Sequence, residues 1–496
     1  MEKTLLIIGA GIAGLSAGCY GRMNGCRTRI FEMHDKPGGL CTSWKRNGYT
    51  IDGCLHWLVG SAPGLEISRI WEELGAVQGR EMINHEEFGR YEGNGGKTFI
   101  FYTDLDRLEQ HMLELSPTDK TVIKEFINGA RAFTQIDLPA LKAPELFGPV
   151  EGMATLWKMR PLFKWKGVSV RDFAVRFRDP FLSEALGSFS EDFPMPLVFF
   201  LLTMAWMHQK VAGYPSGGSL EFARAIERRY LALGGEINYR ARVVEILAEN
   251  NRAAGVRLAD GSVHRGEAVI SAADGHTTIF EMLAGKYVDD RIRGYYRDLS
   301  IFSPLVHVAV GVNYSFSEVP FSVTGISFPL DEPLAVAGKE LKRLTAMIYN
   351  FDPTLAPPGR TVVKVMFSSD YDYWRALRED GDRYRAEKER IAGQVVARLD
   401  RRFPGLAAQV EMQDVATPAT FHRYTGNWRG SFEGWLPSPD QFGLRMRKTL
   451  PGLDNFYMCG QWVEPGGGLP PAAMSGRNVI QLICKKDKRE FTAGTP

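Results

Sequence analysis

Four apolar residues, Leu5-Leu6-Ile7-Ile8, run directly into Gly9-Ala10-Gly11-Ile12-Ala13-Gly14, and no other feature of the 496-residue chain narrows its fold so far. A short, unbroken apolar run reads as a strand buried on both faces, as in a parallel sheet. The three glycines meet three needs of a strand-turn-helix unit: a tight turn at Gly9, close approach of a phosphate at Gly11, and close helix-strand packing at Gly14. The helix expected over 15–23 starts with unpaired backbone N–H groups, which together with its dipole favour a pyrophosphate. With 52 glycines in the chain, three at fixed spacing arise by chance roughly once in two chains of this size, so context has to carry the assignment. A second strand, 28–31, supplies that context. It ends at Glu32, eighteen residues past Gly14, where a carboxylate can accept hydrogen bonds from a ribose diol. The unit is therefore read as a Rossmann-type βαβ fold holding the ADP half of a dinucleotide, with FAD and NAD both open at this stage.

The residues after Glu32 separate the two. Met33-His34-Asp35-Lys36-Pro37-Gly38-Gly39-Leu40-Cys41 is followed by Gly48 and then by Asp52-Gly53-Cys54-Leu55-His56-Trp57. The pair Gly38-Gly39 leaves bare backbone where a flavin's ribityl chain and ring must pass closely. An NAD-binding domain would normally begin its second crossover helix here. The spacing of Gly89–Gly96 and Gly213–Gly218 does not repeat the fingerprint, so no dedicated nicotinamide domain is expected.

From these residues onward the sequence resembles the phytoene desaturase-like and carotenoid isomerase-like branch of the amine oxidase superfamily of FAD enzymes. The resemblance runs nearly end to end. It takes in Tyr214-Pro215-Ser216-Gly217-Gly218-Ser219 before a helix over 220–233, Val243-Val244-Glu245-Ile246, the Asp260-Gly261 turn and Val269-Ile270-Ser271-Ala272-Ala273-Asp274. It closes with Cys459-Gly460-Gln461-Trp462-Val463-Glu464-Pro465-Gly466-Gly467-Gly468-Leu469-Pro470-Pro471-Ala472-Ala473. The resemblance implies an α/β protein: a discontinuous Rossmann-like FAD-binding domain (1–75, 211–290 and 450–496) with an α+β substrate or cap domain (76–210 and 291–449). It implies noncovalent FAD held by Gly9, Gly11, Ile12, Ala13, Gly14, Glu32, Met33, Gly38, Gly39, Leu40, Cys41, His56, Trp57 and Ser271. Val243 would touch adenine, and Gly460 and Gln461 the ribityl chain, with Gly468, Leu469, Pro470 and Ala473 completing the site. The implied chemistry is hydride transfer at flavin N5 to or from a long apolar carotenoid, isoprenoid or related lipid. Desaturation, saturation and isomerisation stay open, as do a smaller-substrate amine oxidase and a noncatalytic FAD- and lipid-binding protein.

The C-terminal motif also has a reading of its own. Proline suits the first turn of a helix, where its missing N–H costs nothing, so Pro470-Pro471 behind three glycines predicts a helix start. Its positive end is a suitable stabiliser for the negative charge of a reduced flavin around N1 and the C2 carbonyl. Two side chains are candidates for moving a proton: His56, placed to border the flavin ring, and Glu464, next to the glycine-rich turn. His208 is a weaker one.

Composition removes other classes. Lys and Arg exceed Asp and Glu by only two, 60 against 58, which gives no basic field for a nucleic acid. The six cysteines form no CxxC pair, so neither a zinc site nor a disulfide framework is expected, and no metal cluster is read. The start of the chain lacks the pattern of a secretory signal, and the longest apolar run, 195–207, is too short to span a bilayer. A cytoplasmic protein follows as the expectation, with the inner face of the membrane as a second place for it. That second place comes from 153–166, where Met153, Leu156, Trp157, Met159, Leu162, Phe163 and Trp165 interleave with Lys158, Arg160, Lys164 and Lys166. Such a mixture suits either a membrane interface or a helical pair broken at Pro161 with a solvated basic edge. The run 195–207 reads as core or as the lining of a substrate tunnel. The sequence sets no oligomeric state.

Overall fold

The computed structural model describes residues 2–190, 194–439, 444 and 446–496. Its nucleotide-side sheet has five parallel strands in the order Glu236–Asn238, Arg27–Phe31, Thr4–Ile8, Ala268–Ser271, Phe456–Met458. All five fall within 1–75, 211–290 and 450–496. Side chains alternate across a strand, and here the alternation sorts two cores. Leu5, Ile7, Ile30 and Ile270 pack with the helices Ile12–Met23, Gly218–Ala232 and Leu469–Lys486. Leu6, Ile8, Phe31 and Val269 pack on the other face against the antiparallel strands Val243–Glu249 and Arg252–Leu258. Both faces of the sheet are covered, which is why its central strands carry the apolar runs Leu5–Ile8 and Ala268–Ile270, while the strands Arg27–Phe31 and Glu236–Asn238 also carry charged residues.

The helix Ile12–Met23 and the C-terminal helix Leu469–Lys486 touch backbone to backbone. A Cβ on Gly476 would overlap the Ala13 carbonyl oxygen, and Ser16 Oγ donates to the Ala473 carbonyl at 2.6 Å. The last segment of the chain is thereby locked onto the first.

A second, seven-stranded sheet is built from the stretches 76–210 and 291–449. Its order is Val410–Ala416, Leu305–Val312, Thr361–Ser368, Lys339–Ile348, Ile326–Val336, Glu87–Glu92, Thr98–Tyr102. One face carries Val306, Val308, Val310, Val363 and Val365 against Ile391, Val395 and Leu399 of the helix Gly381–Arg402, the apolar stripe of an amphipathic surface helix. The opposite face carries His307, Ala309, Val362, Lys364 and Met366 toward the nucleotide-binding half, where Ala309 and Val362 join its core.

The apolar run 195–207 forms the helix Leu197–His208, buried in an aromatic cluster with Phe88, Phe101, Phe126 and Phe173. It is core of the cap and does not line the main cavity. His208 sits at its end, where Nδ1 accepts from the Leu105 N–H at 3.2 Å, a structural bond closing a helix start.

Candidate functional site

A cavity of about 680 Å³ lies where the two sheets face each other. Its nucleotide-side wall is made by Gly9, Gly11, Ile12, Ala13, Glu32, Met33, Gly38, Gly39, Leu40, Cys41, Val243, Gly460, Gln461, Gly468 and Leu469. His56 joins them from the loop after Asp52. Beyond Glu32 the space continues into an adjoining cleft of about 540 Å³ that shares Glu32, Gly39 and Leu40.

The glycines of the turn divide their work as their spacing implies. Gly9 has φ +95°, a conformation that glycine alone adopts without strain. A Cβ on Gly14 would overlap the Gly9 carbonyl oxygen, so Gly14 packs the helix onto the turn and does not itself line the cavity. The nearest atom to a Cβ on Gly11 is the Gly38 oxygen at 3.9 Å; this is open backbone at the first turn of Ile12–Met23, suited to an anion. The Gly38 N–H donates to the Ala10 carbonyl at 2.9 Å, which holds the two glycine segments side by side.

Glu32 is buried at the end of its strand. Its carboxylate accepts from the Ala10 N–H at 2.7 Å and from the His34 N–H at 2.8 Å. Burial raises its pKa above the ordinary value, and those two backbone bonds oppose the rise. The carboxylate thus braces the phosphate turn, and each oxygen keeps lone pairs for a ribose.

The motif Tyr214–Ser219 acts through Asp52. That carboxylate accepts from Ser219 Oγ at 2.5 Å, from the Ser219 N–H at 2.8 Å at the start of Gly218–Ala232, and from the Cys54 N–H at 3.0 Å. The Leu55 N–H donates to Ser219 Oγ at 2.8 Å. These bonds fix the loop that presents His56. Behind it stands Lys364, whose ammonium donates to the Asp52 carbonyl at 3.0 Å and lies 3.4 Å from His56 Nε2. An ammonium only donates, so Nε2 is the acceptor and the ring proton sits on Nδ1. Burial, and then the Lys364 charge, hold the His56 pKa well below the usual imidazole value. His307 is kept neutral by burial and by the same charge.

The last helix begins as its prolines predict, with Gly468 as N-cap at φ +85° and Pro470 in the first turn. Gly468, Leu469 and Ala472 border the cavity, so the positive end of this helix opens onto it. Pro470 shapes that turn, and Ala473 is buried against the first helix. Gln461 Nε2 is a buried amide donor with no hydrogen-bond partner among the described residues. An unpaired donor on the wall of a cavity is what a bound carbonyl or hydroxyl would satisfy, and with the glycine cradles it makes the site a fit for FAD.

Besides Gly14, Pro470 and Ala473, three more of the expected residues sit off the wall. Ser271 ends its strand and bonds Thr278 Oγ1 at 2.7 Å, so it shapes the sheet end from beneath. Trp57 turns to the cap core, its ring 5.8 Å from that of Phe88. Glu464 is paired with Lys448 at 2.7 Å, and Lys448 also holds Glu145 at 2.9 Å. The buried Lys448 ammonium thus holds the carboxylate expected to move a proton beside the glycine turn, off the cavity wall. Cys41 does reach the cavity, but its Sγ lies 3.3 Å from the Ser219 carbonyl as a donor, and burial pushes the thiol pKa well up, so it stands as a neutral thiol.

The structure adds carboxyl groups that the sequence did not single out. Glu433 lines the cavity beside Gly467 and Gly468, where a Cβ on Gly467 would overlap its side chain. Burial pushes its pKa up to about 7. Asp274, pushed up to about 6 by burial, accepts from the Thr277 and Trp428 N–H groups at 2.8 Å each and pins a cap loop to the nucleotide half. His307 and Lys364 did carry a signal, each being a polar residue inside an otherwise apolar strand. Glu433 sits on a loop among bends and carried none.

The sequence model described as flavin containing amine oxidoreductase matches residues 12–484. A chloroplastic prolycopene isomerase of Daucus carota is 23% identical, over 96% of this chain and 79% of that protein. A lycopene-forming phytoene desaturase of Pseudescherichia vulneris is 25% identical, over 97% of this chain and 99% of that protein. Among solved structures, an oxidoreductase from Methanosarcina mazei shares the fold with a TM-score of 0.61 at 17% identity, covering 96% of this chain and 100% of that one.

Proposed function

This chain belongs to the flavin-containing amine oxidoreductase family as an FAD-dependent oxidoreductase, and we propose that it acts on carbon-carbon bonds of a long, uncharged polyene or isoprenoid lipid. The observation that carries this reading is the suppression of charge on the cavity wall facing the nucleotide turns. Around His56 that wall brings Leu305, Met366, Phe421 and Phe432 together with His307 and Glu433, while the charged Arg423 lines the cavity where it joins the adjoining cleft. Both imidazoles are held neutral and Glu433 is poised near neutrality. A surface that discourages fixed charge on its own side chains suits an uncharged substrate better than an ammonium. The similarity to a prolycopene isomerase and a phytoene desaturase supports the same substrate class.

Bound FAD supplies the hydride acceptor or donor at N5. The chain's own residues do the rest. The apolar wall aligns the substrate and excludes water, the start of the helix Leu469–Lys486 favours negative charge beside it, and His56 presents Nδ1–H from a ring fixed by Lys364. Glu433, with its pKa near the working pH, is suited to give or take a proton.

The test is anaerobic mixing of the FAD-loaded protein with cis and trans polyenes in detergent micelles. Flavin absorbance and product isomers are followed, and a parallel aerobic assay measures peroxide from soluble amines. Bleaching of the flavin or a change in double-bond number or geometry is expected with polyenes. Peroxide from amines with no response to any polyene overturns the reading.

A further inference from the structure

The helix Pro149–Lys158 buries none of its residues. Twelve large hydrophobic residues are exposed among the described residues, and five of them, Val150, Met153, Leu156, Trp157 and Phe163, fall within fourteen positions of this segment at 46% to 76% exposure. At helical spacing Val150, Met153, Leu156 and Trp157 share about a third of the circumference, so they form one face turned to solvent. The segment is anchored from beneath by Leu162 and Trp165, which are buried; Trp165 packs where a Cβ on Gly129 would meet its ring at 2.8 Å.

Four cations follow this face closely in the chain. Lys158, Arg160, Lys164 and Lys166 are all exposed, and no acidic residue occurs between Glu151 and Asp172. The Arg160 guanidinium lies 4.5 Å from the centre of the Trp157 ring. Lys164 comes within only 3.9 Å of a carboxylate, that of Glu125, an exposed pair of little strength.

We propose that Pro149–Lys158 and Arg160–Phe163 form an interfacial anchor that lays Met153, Leu156, Trp157 and Phe163 into the surface of an anionic lipid bilayer. The charge commits the surface to this partner: exposed apolar side chains alone would suit any greasy contact, whereas four cations with no interspersed acid match anionic headgroups. No helix among the described residues is long and apolar enough to cross a membrane, so the contact is one of lying on the surface. The anchor is tied to the cavity rim. Glu145, four residues before the helix, bonds Lys448, which bonds Glu464 two residues before Gly466 of the cavity's glycine turn. A chain docked here has its substrate cavity connected to the membrane surface through a short, ion-paired segment.

The experiment is co-sedimentation of the FAD-loaded protein with vesicles of phosphatidylcholine alone or mixed with phosphatidylserine. Binding to the mixed vesicles is expected, weakening as salt is raised. Each basic residue at such a surface is worth roughly fivefold, so Lys158→Gln with Lys164→Gln should lower partitioning by roughly 25-fold. Met153→Ser with Trp157→Ser should abolish it, with flavin content and thermal unfolding unchanged, which shows that the variants fold. Partitioning that is equal for wild type and both double variants, or equal on neutral and anionic vesicles, overturns the proposal. So does concentration-dependent dimerisation lost in Met153→Ser with Trp157→Ser and no vesicle binding, because the face then joins two copies. No substrate enters the assay, so its failure leaves the polyene reading standing.

Discussion

Lys364 has no exposed surface, and its ammonium meets a backbone carbonyl and an imidazole, with no carboxylate at ion-pair distance among the described residues. Burial pushes its pKa from 10.5 down to about 8. At about 1.36 kcal/mol per pKa unit, a charge held there costs about 3 kcal/mol at neutral pH. The sign follows from proton counts. Between pH 8 and 10.5 the unfolded chain keeps a proton that the folded chain has released, so stability rises with pH across that window, and below 8 the whole cost is present. Lys364→Met removes the titration. At pH 7 the variant gains up to about 3 kcal/mol, offset by roughly 1–3 kcal/mol for the Asp52 carbonyl left without its donor, so the two proteins should lie close together there. The pH dependence is the cleaner signal. Urea unfolding of the FAD-loaded proteins, measured from pH 7 to 10.5, should show wild type gaining about 3 kcal/mol on the variant. Turnover should fall about ten- to a hundredfold at unchanged flavin content, because His56 loses the partner that fixes its tautomer. A stability difference that stays flat with pH refutes the buried charge, and full activity in Lys364→Met refutes its part in positioning His56.

Gly14→Ala places a methyl group against the Gly9 carbonyl oxygen and should forfeit at least tenfold in FAD affinity by pushing the phosphate turn off the helix, read from flavin content after purification. Glu433→Gln should erase the limb of the pH-rate profile near 7. Its effect on stability has the opposite sign to that of Lys364. A carboxyl raised to about 7 loses stability as pH rises from 4.5 to 7, so the variant gains on wild type over that window and holds the gain above it. Glu464→Gln should leave turnover within a fewfold of wild type, measured on the same substrate, because its carboxylate is spent on Lys448; a hundredfold loss would restore it as a proton carrier.

The nucleotide half was legible in the sequence because each of its features is local. A tight turn, a helix start and a strand end are settled within a few residues, so Gly9, Gly11, Gly14, Glu32 and Gly468 are readable from their spacing together with the strands and helices that flank them. The fold class followed from the same unit, since a strand covered on both faces must be apolar throughout, as Leu5–Ile8 is. The catalytic side was less legible, because its chemistry is assembled across long separations. Lys364 reaches His56 over 308 positions, and Lys448 reaches Glu145 over 303. No spacing rule links such residues. Glu464 drew notice by standing next to a recognisable motif, and nearness in sequence was a poor guide to which way its carboxylate turned. What the strand pattern does hold is a narrower clue. In Leu305–Val312 and Thr361–Ser368 the alternating valines face the helix Gly381–Arg402, so His307 and Lys364 must face the other way. A polar residue on the buried face of a strand is expensive unless partnered, and that cost is the reason to look for a function where His56, His307 and Lys364 meet.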